Sequence, residues 1–304
     1  MNIEKRTLGK TGLEISVLGY GCGGVWGTPL VSEKDAISFV HAAVDLGVNF
    51  FDTGSSYCKG NAEIRLGKAL KNLNRDKLII GTKAGSQIAE NGKLYKDFSK
   101  TAIMKNIDQS LKKLGTDYVD LLQYHSPFLS DLNDEMWEIL VNIKKSGKAR
   151  FVGVSSDGEV LKRSLDTNVL DVFMTTFNVV NRENKETIER AHTLGVGVLI
   201  KSPMAHSTYN SELFRISSLR KLWYLLRVIK NYRTTYIRAR KLNFMNTIEG
   251  VSPHNIALQY VLSQPGVSCA VMGTTNMNHL KSNVQGMANK VPTEIINKLN
   301  TITI

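Results

Sequence analysis

Eight apolar runs of strand length, separated by segments of helical period, constrain this chain more than any other feature. The runs are 17–21 (VLGYG), 48–53 (VNFFDT), 77–84 (KLIIGTKA), 118–125 (YVDLLQYH), 149–156 (ARFVGVSS), 171–179 (DVFMTTFNV), 197–202 (GVLIKS) and 267–273 (VSCAVMG). Between them lie amphipathic stretches such as EKDAISFVHAAVDLG, TAIMKNIDQSLKKLG and KETIERAHTLG, which stop at Gly47, Gly115 and Gly195, where glycine serves as a C-cap. Strands this continuously apolar suit a parallel sheet covered by helices, and eight strand–helix units close into a barrel. The expected architecture is α/β: a (β/α)8 TIM barrel over residues 1–304, one domain, opening with a short β-hairpin across RTLGKTGLEIS with Gly12 near its turn.

One irregularity interrupts the alternation. Residues 203–253 are too long for a usual βα connection and read as an inserted, basic helical segment over one end of the barrel. The chain has a net charge of +12, and Arg220, Lys221, Arg227, Lys230, Arg233, Arg238, Arg240 and Lys241 concentrate in a part of this insert without Asp or Glu. Leu222, Leu225, Leu226, Ile229 and Tyr232 recur at helical spacing, so the segment reads as an amphipathic capping helix with a solvated charged face. A flap whose Arg or Lys meets an anionic ligand is the second reading.

Such a charge excess favours anionic partners, yet no recognised nucleic-acid module accompanies it, and neither nucleic acid nor membrane is an expected partner. Cys22, Cys58 and Cys269 show no metal-ligand spacing, which argues against a disulfide scaffold and a structural zinc. No metal is expected. The N-terminus carries charges where a signal peptide needs an apolar core, so the expected location is cytoplasmic. Oligomeric state is left open.

Catalytic groups in barrels come from the C-terminal ends of the strands. Three consecutive runs end in an ionisable residue: Asp52, Lys83 and His125, with Tyr57 five residues beyond Asp52. Singly, Asp52 could be a turn cap, Lys83 could reach solvent, His125 could be a satisfied histidine and Tyr57 a loop tyrosine. Together they form an apparatus. A carboxylate and an ammonium on neighbouring strands neutralise each other, a cation beside a phenol is expected to pull its pKa down from about 10, and a histidine can orient a carbonyl oxygen. These four residues could reduce a carbonyl if a hydride were supplied. A Schiff-base role for Lys83 is the alternative chemistry.

The motifs that carry these residues resemble those of the aldo-keto reductases along essentially the whole chain. FDTGSSYCKGNAEIRLGKAL resembles the signature with catalytic Asp and Tyr, TKAG and LLQYHSP supply the Lys and His, and VMGTTNMNHLKSNV resembles the family's C-terminal cofactor motif. The resemblance implies an NAD(P)H-dependent oxidoreductase reducing a small-molecule aldehyde or ketone, with a catalytic tetrad of Asp52, Tyr57, Lys83 and His125 and with Tyr57 as proton donor. It implies cofactor contacts at Gly21, Cys22, Ser155, Ser156, Asn178, Lys201, Ser202, Gly273, Thr274, Thr275, Asn276, His279 and Asn283. Some of these depart from the family pattern: Ser156 replaces Asn, Asn178 replaces Gln, and Lys201 stands where many members stack an aromatic ring on the nicotinamide. Asn276 is neutral where many members place a cation for the 2'-phosphate of NADPH. The expected cofactor is still NADPH, with NADH possible and a cation from the basic insert meeting the phosphate. No G-x-G-x-x-G follows a strand. Trp26, beside the glycine-rich 19–27 stretch, is a candidate wall of the substrate pocket or a merely packed aromatic. Barrels resembling this family also serve as potassium-channel beta subunits, and a cofactor-binding regulatory subunit is the competing class of function.

Overall fold

A computed structural model describes residues 3–210, 216 and 219–304. An antiparallel hairpin comes first, β1 (Lys5–Thr7) and β2 (Glu14–Ser16), with Gly12 at a left-handed φ of 72° in its connection. Strands β3 (Leu18–Gly21), β4 (Phe50–Asp52) and β5 (Ile79–Ala84) follow, then a second antiparallel hairpin, β6 (Ser86–Ile88) and β7 (Leu94–Lys96). The remaining strands are β8 (Val119–His125), β9 (Ala149–Ser155), β10 (Val172–Thr176), β11 (Gly197–Lys201) and β12 (Val267–Met272). Strands β3, β4, β5, β8, β9, β10, β11 and β12 pair in parallel in that order, and β12 returns to β3 to close the barrel. Each barrel strand lies within one of the eight expected runs.

Burial explains that composition. All six residues of β5 and all six of β12 are buried, as the chain must be where helices cover one side of a strand and the barrel interior covers the other. The intervening helices include α1 (Glu33–Asp45), α2 (Asn61–Leu70), α3 (Lys100–Leu114), α4 (Asp134–Lys145), α5 (Gly158–Leu165) and α6 (Lys185–Leu194). Ser32, Ser99 and Asn133 each accept a hydrogen bond from the first turn of their helix, and Gly115 and Gly195 end theirs in the left-handed conformation.

Phe50, Ile79, Leu121, Met174, Leu199 and Cys269 form a separate interior cluster that also contains Leu8, Leu13 and Ile15 of the first hairpin. That hairpin crosses the N-terminal ends of the strands: Arg6 donates to the carbonyls of Leu262 and Val267, and Asn49 binds Ser16. The barrel is thus plugged at its N-terminal end and carries its ionisable residues at the other.

The insert is helical, as expected, but in pieces: α7 (Leu219–Asn231), α8 (Arg233–Ala239) and a 3-10 segment over 240–247, before α9 (Pro253–Leu262). Residues 211–215, 217 and 218 and the side chains of Arg220 and Lys221 fall outside the described set. The expected apolar face is only partly the buried one. Leu225 and Val228 are buried, whereas Leu222, Leu226 and Ile229 face solvent. Apolar side chains lie on two faces of α7, and periodicity alone does not say which one packs. Helices α10 (Met277–Gln285) and α11 (Thr293–Thr301) complete the chain. No helix among the described residues is long and apolar enough to cross a membrane.

Candidate active site

Parallel pairing places the strand ends side by side: Gly21 opposite Asp52 and Asp52 opposite Gly81. From β5, Lys83 is 1% exposed, and its Nζ donates to Asp52 Oδ1 and Oδ2, both at 2.6 Å, and to the Thr53 carbonyl at 2.8 Å. The Tyr57 hydroxyl also hydrogen-bonds this ammonium, so Lys83 is engaged by Asp52, Thr53 and Tyr57 together. Burial alone would push the Lys83 ammonium down, but the Asp52 carboxylate carries it above the usual lysine value. Burial pushes the Asp52 carboxyl up, and Lys83 opposes that. A raised ammonium with no free proton is the reverse of what a Schiff-base nucleophile requires.

Tyr57 opens a tight turn in which Cys58 and Lys59 both take left-handed backbone angles. Its ring centroid lies 4.9 Å from Lys83 Nζ and 5.4 Å from the His125 ring, which meets it edge-on. Two glycines make room for it: a Cβ at Gly23 would sit 3.0 Å from the ring and one at Gly54 3.2 Å. The expected depression of the phenol pKa is corrected by the structure. Burial, the largest influence, raises it; Lys83 lowers it, and Asp52 takes part of that back, leaving Tyr57 above 10 and protonated.

His125 is half covered, and burial together with Lys83, Lys96 and Lys201 lowers its pKa to about 3, so the imidazole is neutral. Its Nδ1 lies 3.1 Å from Ser86 Oγ. The structure therefore brings Asp52, Tyr57, Lys83 and His125 into one cluster.

Around the cluster, Ser155 and Ser156 are almost fully buried, and no described residue hydrogen-bonds to their hydroxyls. Hydroxyls at the barrel mouth without a partner among the described residues suit a carboxamide. Asn178 is committed otherwise: its Oδ1 accepts from the amides of Val180 and Asn181, and its Nδ2 donates to the Ser202 carbonyl, leaving one N–H. Lys201 pairs with Asp157 at 2.9 Å. Asp157, which no sequence motif singles out, also accepts from Thr175 Oγ1 and the Thr176 amide, so it fixes Lys201 across the ends of β9, β10 and β11. Ser202 takes a left-handed φ of 53°. Cys22 is fully buried, its amide bonded to the Asp52 carbonyl and its thiol pushed up by burial. Trp26 is 1% exposed within the outer core, so the indole occupies a packed position and turns no face to solvent.

On the far side, Gly273 has open space beside its Cα, and Thr274 accepts from Tyr20 through its carbonyl. Asn276 caps α10, its Oδ1 accepting from the amides of Asn278 and His279. Those helix N-terminal amides are therefore already satisfied, and a phosphate is left with the 273–275 loop. His279 is exposed, while Asn283 is buried against Met204 and Met272. Within the insert, Lys241 bonds the Thr303 carbonyl and Arg238 approaches Glu183, whereas Arg227 lies near enough to help lower the pKa of His206 to about 4, after burial.

The model describing the Aldo/keto reductase family matches residues 17–304. The chain belongs to the aldo-keto reductases. This aldo-keto reductase is 30% identical to the Bacillus subtilis oxidoreductase YqkF over 99% of the present chain and 97% of that one. It is 36% identical to L-galactose dehydrogenase of Arabidopsis thaliana over 67% of the chain and 66% of the relative. Among solved structures, the holo form of aldo-keto reductase AKR11C1 from Bacillus halodurans matches with a TM-score of 0.83 and 30% identity, covering 98% and 96% of the two chains. The protein is accordingly an oxidoreductase of this family on a (β/α)8 barrel.

Proposed function

We propose that this aldo-keto reductase converts an aldehyde or ketone to the alcohol with NADPH, Tyr57 acting as general acid. The observation that carries the reading is the seat of Tyr57: a protonated phenol wedged between Gly23 and Gly54, beside the Lys83–Asp52 pair and a neutral His125. A bound nicotinamide supplies the hydride that adds to the carbonyl carbon. The Tyr57 O–H gives its proton to the oxygen as negative charge develops there, His125 holds that oxygen by a hydrogen bond, and Lys83 stabilises the phenolate that remains. Asp52 keeps the ammonium in place.

The unpartnered hydroxyls of Ser155 and Ser156 and the open loop at Gly273–Thr275 support nicotinamide and phosphate contacts at those positions. Among the described cations of the insert, Arg227 is a candidate to meet the 2'-phosphate, since it lies beside His206 in the loop whose Met204 contacts Asn283. The test is Tyr57→Phe, assayed with NADPH against a carbonyl panel that includes sugars, given the name of the Arabidopsis relative. Turnover falls by about 10²-fold or more, the span of a lost general acid, while NADPH affinity holds. Turnover within twofold of wild type would remove Tyr57 from the reaction.

A further inference from the structure

The second hairpin places Ser86 and Lys96 opposite one another across β6 and β7, directly behind His125. Lys96 Nζ donates to Ser86 Oγ at 2.7 Å and also to the His125 carbonyl. Ser86 Oγ in turn lies 3.1 Å from His125 Nδ1. Ser86 is 5% exposed, and these are the two partners of its hydroxyl among the described residues.

Proton counting then fixes every direction. An ammonium has only donors, so Ser86 Oγ accepts from Lys96. The one proton of the buried serine hydroxyl has a single acceptor within reach, Nδ1 of His125. If Nδ1 carried the ring proton, the serine oxygen would accept from both Lys96 and the imidazole, and its own proton would be left with no acceptor among the described residues, a costly state for a hydroxyl 5% exposed. The neutral imidazole must therefore carry its proton on Nε2, the nitrogen that has no partner among the described residues.

We propose that Lys96 and Ser86 are positioning residues that lock His125 in its Nε2–H tautomer and so turn it into an obligatory hydrogen-bond donor toward the substrate oxygen. The inference rests on the proposed reading of His125 as the group that orients the carbonyl, because only a donor can hold that oxygen. It gives the β6–β7 hairpin a task beyond covering the barrel mouth. The Lys96 contact with the His125 carbonyl fixes the backbone of the same residue, so ring and main chain are set from one side.

Nitrogen NMR of the protein labelled with 15N-histidine reads the tautomer directly, with the His125 signals identified by their loss in His125→Asn. The chain contains 6 histidines, which keeps the spectrum tractable. Wild type shows a protonated Nε2 and a bare Nδ1. Ser86→Ala and Lys96→Met, which remove the donor to Nδ1 or free the serine proton to turn away, show both nitrogens sharing the proton, whereas Ser86→Thr retains the wild-type pattern. In turnover, Ser86→Ala lowers kcat roughly threefold to tenfold as a population penalty on the donor tautomer, with NADPH affinity unchanged and Ser86→Thr restoring the rate. A protonated Nδ1 in wild type, or an unaltered pattern in Ser86→Ala, overturns the lock; an unaltered pattern in Lys96→Met removes Lys96 from it. The spectrum is recorded without turnover. A locked tautomer in a protein inactive on every carbonyl would therefore uphold the lock while refuting the reductase reading.

Discussion

Asp52→Asn puts the central ion pair to the test. Asn keeps the shape of the side chain but replaces two anionic oxygens, each 2.6 Å from Lys83 Nζ, with one neutral oxygen and an amide donor. Lys83 is 1% exposed and has no water to turn to. Removing one partner of a buried pair costs about 3–5 kcal/mol, because the remaining charge keeps its desolvation penalty. At roughly 2 °C per kcal/mol for a chain of this size, the thermal midpoint drops by about 6–10 °C at neutral pH.

The pH dependence separates a charge effect from a packing defect. In the variant the carboxylate no longer opposes burial, the largest influence on Lys83, and with only Tyr57 still favouring the ammonium its pKa falls below the ordinary value near 10.4. Between that lowered pKa and about 10.4 the unfolded chain binds a proton that the folded chain does not, so the variant gains stability as pH rises. Wild-type Lys83 behaves in the opposite sense: with its pKa raised, its stabilisation is complete below about 10.4 and is lost only as pH climbs through the folded value. The gap between the two proteins should therefore narrow from pH about 7 to about 10, and Asp52→Asn combined with Lys83→Met should recover most of the loss. Thermal melts across that range measure it. A midpoint within about 2 °C of wild type, or a gap that does not change with pH, refutes the argument.

Gly54→Ala places a methyl 3.2 Å from the Tyr57 ring, so the ring must shift by a few tenths of an ångström. Single-turnover rates should drop about threefold to tenfold with nucleotide affinity intact; an unchanged rate would mean that the ring position is not critical. With its pKa lowered to about 3, His125 stays neutral far below the ordinary 6.5, so kcat/KM has no inflection near 6.5. The same shift makes stability fall as pH drops from about 6.5 toward the folded value, where the unfolded chain takes the proton first, and acid melts of His125→Asn against wild type check the sign. NADPH should bind more tightly than NADH by about tenfold or more, a charge-assisted contact being worth roughly 1.5–3 kcal/mol. Arg227→Ala and added salt should both erode that preference in fluorescence titrations, and equal affinity for the two nucleotides would remove the 2'-phosphate contact.

The barrel was legible because each strand is buried on both sides, and that requirement writes an uninterrupted apolar run into the chain. The β6–β7 hairpin left a weaker trace. Its strands are three residues each and largely polar or exposed, and its clearest signal, Asn91–Gly92 with Gly92 at a φ of 77°, sits in a five-residue connection between short strands. The cluster of Asp52, Tyr57, Lys83 and His125 could be anticipated from strand ends and the loop after the second, yet the positions of Asp157, Ser86 and Lys96 beside it could not, since they depend on which neighbouring strand or hairpin each faces. The direction of the Tyr57 shift is hidden from sequence for a related reason: sequence shows that a lysine stands near the phenol, but not how deeply the phenol is buried or that Asp52 offsets the lysine.

That correction alters how the acid works rather than whether it can. Two lysines at the barrel mouth are paired, Lys83 with Asp52 and Lys201 with Asp157, a third, Lys96, lies behind His125, and Tyr57 and His125 stay neutral. A phenol whose pKa is raised is fully protonated before the reaction, and it remains far more acidic than the product alcohol, the conjugate acid of the alkoxide that hydride addition would create. Proton transfer is therefore favourable at the moment the alkoxide forms and unfavourable before it. Donors that are neutral in the ground state and face a developing negative oxygen stabilise the transition state more than the bound carbonyl, which is the condition for lowering a barrier rather than merely tightening binding. In the proposed reaction Lys83 would act one step behind, where its field matters most once Tyr57 has given up its proton.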